Sequence, residues 1–485
     1  MDINNIKNVA QLKASGYKAR SIKEELRDNL IKQLGNGINP FPQIIGFDDT
    51  VIPDMERAIL SRHNILLLGL RGQAKTRIAR LLVNLLDEYI PVLGGCELND
   101  DPLNPISRKA KDILKEKGDE APIIWLHRDS RYVEKLATPD VSIADLIGDV
   151  DPIKAAALKL PYSDERVIHY GLVPHAHRSI FVINELPDLQ ARIQVSLFNI
   201  LQEGDLQIRG FKLRLPLDVQ FVFTANPEDY TNRGSIITPL KDRIESQILT
   251  HYPKTIDIAK KITAQEAIIK PGQEVISTPP AMDELIEMIA FEARKSELID
   301  EKSGVSARLS ISARELLMST AERRMLINNE DSTTTRITDL WGIVPAITGK
   351  VELVYEGEQE GPYGVAMDLF NKSISQLFLQ FFPKPDEYSK GEENDPYGVI
   401  RAWFSGGHSV DLHNDSSDVD FSAMLNKVSG LDHFLDGFNI VEDYRSFFKE
   451  LVIFGLAEYE VLNKNVLEKK LSFNDPFAGM FDNLN

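Results

Sequence analysis

Apolar positions along this chain keep two rhythms, and the order in which they alternate outlines a fold. Residues 20–34, "RSIKEELRDNLIKQL", place their apolar side chains along one stripe of an exposed amphipathic helix, and the turn-rich "GNGINPFPQIIG" follows. "DTVIPDMERAIL" reads as a second helix. "NILLLG" (64–69) is then a short continuous apolar run, the pattern of a strand buried on both faces. Behind it, Ile78, Leu81, Leu82, Leu85, Leu86 and Tyr89 recur at helical spacing, which predicts one helix with a face on a core. Three further buried-strand candidates follow: "PIIWLH" (122–127), "SIFVIN" (179–184) and "VQFVFTAN" (219–226). Helical segments such as "DLQARIQVSLFNILQEG" separate them, so the pattern predicts a parallel sheet covered on both faces. "GDLQIRGFKLRLPLDVQ" alternates around Gly210 and predicts a β-hairpin.

From about residue 255 the texture turns helical, with Met282, Leu285, Ile286 and Ile289 forming one stripe and "ARELLMSTAERRMLI" another. "FPKPDEYSKGEENDPYG" (382–398) reads as a linker or long loop. A mixed region, "VIRAWFSGGHSVDLHNDSSDVDF", and more helices follow. No repeat of 20–50 residues is present.

Composition narrows the class. A chain of 485 residues exceeds one compact core, so about two to four domains are expected. Apolar residues at 43% and charged residues at 26% are the balance of a soluble globular protein. No run of about 18 apolar residues predicts membrane insertion, the first residues lack the apolar core of a secretion signal, and the cytoplasm is the expected compartment. The single cysteine, Cys96, excludes an internal disulfide framework and a multi-cysteine zinc site. A net charge of −18 argues against coating nucleic acid, whose phosphates need a concentrated positive surface. Residues 381–485, with 9 basic and 19 acidic side chains, carry over half of that excess.

Chemistry gathers at the predicted strand ends, where open parallel sheets bind ligands. "GLRGQAKT" (Gly69, Leu70, Arg71, Gly72, Gln73, Ala74, Lys75, Thr76) follows the first strand and precedes a helix, with Arg77 next. It is one letter from G-x-x-x-x-G-K-[ST], the loop whose backbone N–H groups cradle the phosphates of ATP. Lys75 would neutralise the β- and γ-phosphates, and Thr76 would ligate Mg²⁺. Ala74 stands where the second glycine is usual; a methyl group is tolerable there if φ is negative, with Gly72 supplying the flexible turn. "IFVINEL" ends its strand in Asn184–Glu185, where nucleotide hydrolases usually carry Asp-Glu. Asn184 keeps an acceptor oxygen for the metal but loses the charge that favours a divalent cation. Glu185 is the candidate base, and Asn226 at the third strand end would position the lytic water. "DLHNDSSDVD" (Asp411, His413, Asp415, Asp418) is carboxylate-rich, yet it lacks the central glycine and twelfth-position glutamate of a calcium loop and reads as a solvated acidic loop.

The order phosphate loop, Asn-Glu strand, hairpin, "TANP", "LKDRI" and helical region resembles the AAA+ ATPases of the helix-2-insert clade. The MoxR type and the ATPase subunit of magnesium chelatase are most similar. The resemblance covers roughly residues 38–330, and it implies several roles. An alanine before the lysine is a common form of their loop, so Ala74 fits a working ATP site. Ile45, in "NPFPQIIGFDD", lies at the nucleotide-binding entrance. "DVDPIKAAALKLPY" is the helix-2 insert, facing a ring pore. Asn226 matches sensor 1 and Arg243 the arginine finger, with Asp242 beside it. Arg308 matches the sensor-2 arginine, with Arg314 competing. Asn184 departs from the pattern, and "LGGCELNDDPLNPISRKAKDILKEKGDE" (93–120) is longer than a simple connection.

The implied architecture is α/β: an AAA+ P-loop core with a five-stranded parallel sheet, an all-helical lid and an α+β C-terminal extension. The implied boundaries are an N-terminal helical segment (1–37), the nucleotide-binding domain (38–250), the lid (251–350) and the extension (351–485). The implied activity is ATP hydrolysis, with Mg²⁺, by a homo-oligomeric ring, expected as a hexamer. Its work would be remodelling a partner protein, such as one with a von Willebrand factor A domain, or serving a metal-insertion system. The competing reading is a nucleotide-binding scaffold with little or no turnover. An enhancer-binding transcription activator shares the fold but calls for a "GAFTGA"-type loop and a basic helix-turn-helix, which are not in the sequence.

Overall fold

A computed structural model describes the chain except for residues 1–2, 163, 204–205, 207, 209–214, 228–234, 389–393, 468–469 and 477–485. Most of the hairpin expected around Gly210 lies outside the described residues. Two compact units, Met1–His251 and Tyr252–Asn485, divide the chain.

The first unit is built on five parallel strands: β1 (Ile65–Leu68), β2 (Tyr132–Leu136), β3 (Ser179–Asn184), β4 (Val219–Ala225) and β5 (Ser246–Leu249). Their order across the sheet is β2-β3-β4-β1-β5. β1, β3 and β4 lie inside the sheet and are almost wholly buried, which is why they read as continuous apolar runs. One face carries Ile65, Leu67, Ile180, Val182, Val222 and Ile248 against α1 (Ile22–Gly35), α2 (Val51–Leu60) and α3 (Lys75–Leu81). The opposite face carries Leu66, Phe181, Ile183, Phe221 and Phe223 in a second cluster.

Three local expectations are corrected. "PIIWLH" is a strand, Ile123–His127, but it pairs antiparallel with Tyr89–Leu93 in a separate ribbon, with Ile124 56% exposed. The fifth sheet strand is instead the charged "YVEKL" of β2, an edge strand, where charge is tolerated because one side faces no partner. The helix behind the loop does not reach Tyr89. It ends at Leu81 and tightens into a 3₁₀ turn over Leu82–Leu85. Asn29 Nδ2 donates to the Leu85 carbonyl at 2.9 Å and the Asp87 N–H donates to Glu25 at 2.7 Å, so side chains of α1 capture the backbone that would continue the helix.

Nor is α1 an exposed appendage. Ser21 and Glu24 cap it reciprocally, and Ile22, Leu26 and Leu30 join the same core as the sheet. Its fourth buried residue is an acid. Glu25 receives both terminal nitrogens of Arg131, at 2.7 and 2.6 Å, and both residues are almost fully buried. Arg131 Nε also donates to the Arg178 carbonyl at 2.9 Å. This pair fixes the residue immediately before β2. The 93–120 segment, with a helix at Arg108–Lys117, packs Leu93 and Ala110, together with Ala121 and Ile123 just beyond it, against Ile6, Val9 and Leu12 in a satellite core.

Between β2 and β3 a hairpin projects, Gly148–Val150 antiparallel to Ile168–Tyr170. A short helix, Pro152–Leu158, sits between its arms, capped by Asp151, whose carboxylate accepts from the N–H groups of Ile153 and Lys154.

The second unit is mainly helical, with α4 (Pro280–Lys295), α5 (Arg308–Ile327), α6 (Tyr355–Phe381, broken at Gly361, φ 82°) and α7 (Arg445–Glu458). A three-stranded antiparallel sheet, Val410–His413, Lys470–Asn474 and Asn463–Leu467, makes the α+β part. One core runs from Ala281 to Phe473, with Phe382 and Tyr397 buried on either side of the polar 382–398 loop.

Removing one partner of the Glu25–Arg131 pair strands a buried charge, whereas replacing both does not. Glu25→Ala should lower stability by about 3–5 kcal/mol in urea unfolding. Glu25→Leu combined with Arg131→Met should lose far less, and an equal loss in both would show that the pair is not buried as a unit.

Candidate functional site

Strand register levels the site. Leu68 of β1 pairs with Ala225 of β4 and Leu249 of β5, and Ile183 of β3 pairs with Phe223 of β4. Gly69, Asn184–Glu185 and Asn226 therefore leave the sheet at one carboxyl edge.

The loop after β1 is held from behind. A side chain at Gly69 would meet Thr250 Oγ1 at 2.0 Å and Gln73 Oε1 at 2.2 Å, so only glycine fits there. Thr250 donates to the buried Gln73 at 2.7 Å, tying the loop to the end of β5. Gly72 has φ 73°, as expected. Ala74, however, also sits in the left-handed region, at φ 56° and ψ 13°. The expectation of a negative φ there is corrected: the loop needs two left-handed residues, and alanine takes the second at a cost of about 1–2 kcal/mol.

Lys75 Nζ donates to the carbonyls of Gly69 and, at 2.8 Å, Leu70, and to Asn226 Oδ1 at 2.7 Å. These acceptors are neutral, and a phosphate oxygen in place of any one of them would bind the ammonium more strongly. Thr76 is half-buried, and Arg77 reaches Gln43 at 3.3 Å. Arg71 is exposed and Leu70 half-buried. Ile45 is half-buried beside the buried Ile44.

At the end of β3 the polar residues form a chain. The Glu185 backbone, left-handed at φ 56°, donates its N–H to Thr224 Oγ1 at 3.1 Å. Thr224 donates to Asn184 Oδ1 at 3.1 Å, and Asn184 Nδ2 donates to Glu134 Oε1. Glu134 also accepts from Tyr132 at 3.1 Å and from Arg80 Nε and Nη2 at 3.1 and 2.9 Å. Burial and the Glu134 charge push the Tyr132 phenol above its ordinary range, so it remains a neutral donor. Thr224, Glu134 and Arg80 carried no motif in the sequence.

Among the described residues no group of three or more His, Cys, Asp or Glu side chains could hold a metal by itself. The donor set suits an ion that arrives already bound to phosphate oxygens and keeps several waters, which is how Mg²⁺ is carried. The acidic loop at 411–418 is committed elsewhere: Asp411 pairs with Lys470, Asp415 with Arg323, and Asp418 with Arg324 and Arg336.

Arg243 is half-buried. It donates to the Pro239 carbonyl at 2.7 Å and lies 4.9 Å from the Phe198 ring centroid. In the second unit Arg308 is exposed at the first turn of α5, whereas Arg314 pairs with Asp283 at 2.6 Å.

A parallel sheet in this order, with a phosphate-type loop after the central β1 and a polar end on β3, identifies the architecture. The fold is that of the AAA+ ATPases. No protein-family description matches the chain. Solved structures similar to it include a Cytophaga hutchinsonii protein provisionally named an ATPase, at 16% identity over 75% of this chain and 98% of that one, TM-score 0.28. The BchI–BchD complex of magnesium chelatase gives 19% identity over 66% and 98%, TM-score 0.34. NtrX from Brucella abortus gives 15% over 59% and 54%, TM-score 0.33, so the chain spans about half of that protein. At these values the AAA+ sheet order of the chain itself defines its fold.

The left-handed Ala74 gives a test of the loop. Ala74→Gly should be neutral or stabilising by up to about 1 kcal/mol in thermal unfolding, because relief of strain outweighs the added freedom of the unfolded chain. A loss of about 1 kcal/mol, the ordinary cost of glycine in a right-handed helix, would place φ at Ala74 on the negative side.

Proposed function

We propose that this chain is an ATP-hydrolysing AAA+ motor of the MoxR and magnesium-chelatase type. In this reading it works in the cytoplasm as a homo-oligomeric ring of six subunits that remodels or activates a partner protein. The observation that carries the reading is the convergence of Lys75 and Asn226, 2.7 Å apart, from two adjacent strand ends, with Glu185 following the next strand at the same edge. Residues 38–250 would bind the nucleotide, 251–350 would act as its lid, and 351–485 would be an appended extension.

The residues divide the work. The loop 69–74 offers backbone N–H groups to phosphates, and Lys75, turned toward them, neutralises them. Thr76 and Asn184 would face the Mg²⁺ of the bound nucleotide, which would supply charge neutralisation on the β- and γ-phosphates. Glu185 accepts a proton from the attacking water, and Asn226 orients that water. Arg243, from the neighbouring subunit, stabilises charge on the transferred phosphoryl group. Arg308 reports nucleotide state from the lid; its exposure, against the pairing of Arg314 with Asp283, favours it for that role.

The hairpin helix Pro152–Leu158 supports contact with a partner, because Ile153 is 81% exposed and Leu158 and Tyr162 lie bare beside it. A partner with a von Willebrand factor A domain suits this reading, as does a metal-insertion system. Among the described residues no helix is long and apolar enough to cross a membrane. A second reading, a nucleotide-binding scaffold with little turnover, is favoured by Asn184, whose oxygen already accepts from Thr224.

Phosphate release by the purified chain separates the two. Lys75→Ala should lose ATP binding, while Glu185→Gln should bind ATP and turn over about 10²–10⁴-fold more slowly. Unchanged turnover in Glu185→Gln removes the base, and absence of turnover in the wild type selects the scaffold. Arg243→Ala should bind ATP yet lose about 10³–10⁵ in rate. Mixing it with Lys75→Ala should restore activity, since each supplies what the other lacks; mixed rings that stay inactive rule out a shared site.

A further inference from the structure

Asn184 leaves the site one negative charge short, and the edge strand holds a carboxylate beside it. Glu134 of β2 pairs in register with Val182 of β3, and Leu136 pairs with Asn184. Side chains two residues apart on a strand share a face, so Glu134 and Asn184 lie on the same side of the sheet. Thr224, level with Asn184 one residue beyond the Ile183–Phe223 pair, lies there too. This is the face that Ile78 and Ala79 of α3 cover. Arg80 follows Thr76 by four residues, one turn along the same side of α3, and reaches Glu134 at 2.9 Å.

We infer that Glu134 supplies the negative charge toward the nucleotide's Mg²⁺ that Asn184 lacks, that Asn184 is the connector aiming it, and that Arg80 competes with the metal for it. This inference rests on the nucleotide-binding reading above. The amide of Asn184 is locked in one sense. Turned over, it would set its oxygen against the Glu134 carboxylate and its N–H₂ against the Thr224 hydroxyl, which also accepts from the Glu185 N–H. Asn184 thus links the backbone of the candidate base to a carboxylate on the next strand. The two ion pairs of β2 differ in the way this role needs. Arg131–Glu25 is buried and permanent, whereas the Arg80 side chain is 64% exposed and that of Glu134 22%. An exposed pair is weak, and a divalent cation can outcompete it.

The plain alternative is that Arg80–Glu134 only ties α3 to the sheet edge. The two ideas give opposite signs for two variants that break the same pair. The test uses the full chain, a non-hydrolysable ATP analogue and Mn²⁺ in place of Mg²⁺, with free Mn²⁺ read by electron paramagnetic resonance. Glu134→Gln should weaken Mn²⁺ in the ternary complex by about 10–100-fold, the usual effect of losing a supporting carboxylate. Arg80→Ala should tighten it about two- to fivefold, by removing a competing cation from an exposed pair. Asn184→Asp placed in the Glu134→Gln background should recover most of the loss by returning the charge to β3. Analogue binding in EDTA should be the same for all of them. Equal Mn²⁺ affinity in Glu134→Gln and wild type overturns the inference, as does weakening by both single variants alike. Arg80→Ala leaves the carboxylate intact and decides the sign even if Glu134→Gln fails to fold. If wild type binds the analogue neither with Mn²⁺ nor without it, the nucleotide reading falls and this inference falls with it. If it binds and Mn²⁺ tightens the complex while Glu134→Gln changes nothing, only the inference falls.

Discussion

Parallel pairing of β1 between β4 and β5 is the constraint from which the rest of the first unit follows. Once Leu68 is level with Ala225 and Leu249, the chain must leave three neighbouring strands at one edge. Gly69 then faces Thr250, and there is no room for a side chain between them. Lys75, opening α3, comes back over the edge and finds Asn226. A slip of one residue in β1 would exchange its two faces and send Ile65 and Leu67 to the other core, which the segregation of the two clusters forbids. Hydrophobic burial thus sets the register, and the register sets the polar geometry.

Polar groups on that sheet are arranged by how much water they keep. Glu25 and Arg131 are out of water and answer each other bidentately, with the Arg178 carbonyl taking a further donor. An arrangement of that kind holds α1 and the start of β2 in one geometry, and little can displace it. In the middle of β2, Glu134 has three kinds of donor around it and an exposed arginine among them. The residue that enters the strand is an anchor, whereas the ion pair at its middle keeps contact with water.

Much of this was legible in the sequence because the inner strands bury both faces. β1, β3 and β4 stand out as uninterrupted apolar runs, and the residues that end them carry recognisable chemistry. β2 escaped the same reading for a physical reason. An edge strand is half solvated and tolerates Glu134 and Lys135, whereas the apolar "PIIWLH" looked more like a core strand and pairs instead with Tyr89–Leu93. The early end of α3 was equally hidden, because Leu82, Leu85 and Leu86 stay buried whether the backbone is helical or not. Only the side chains of Glu25 and Asn29, sixty residues away in sequence, decide where the helix stops. The tie between Gln73 and Thr250 has no local signal at all.

Ala74 shows what a strained residue demands of its surroundings. Left-handed backbone at a non-glycine persists only where neighbours over-determine it. Here the neighbours can be named: Gln73, buried and bonded to Thr250 on one side, and Lys75, bonded to the carbonyls of Gly69 and Leu70 on the other. With both flanking side chains fixed, the peptide at residue 74 has no freedom to relax toward negative φ. The loop is therefore shaped before any ligand reaches it, and binding need not also supply the ordering entropy of its backbone. That Lys75 helps to hold the loop, and would have to turn from its carbonyls toward a phosphate, couples the shape of the loop to the charge of whatever it binds.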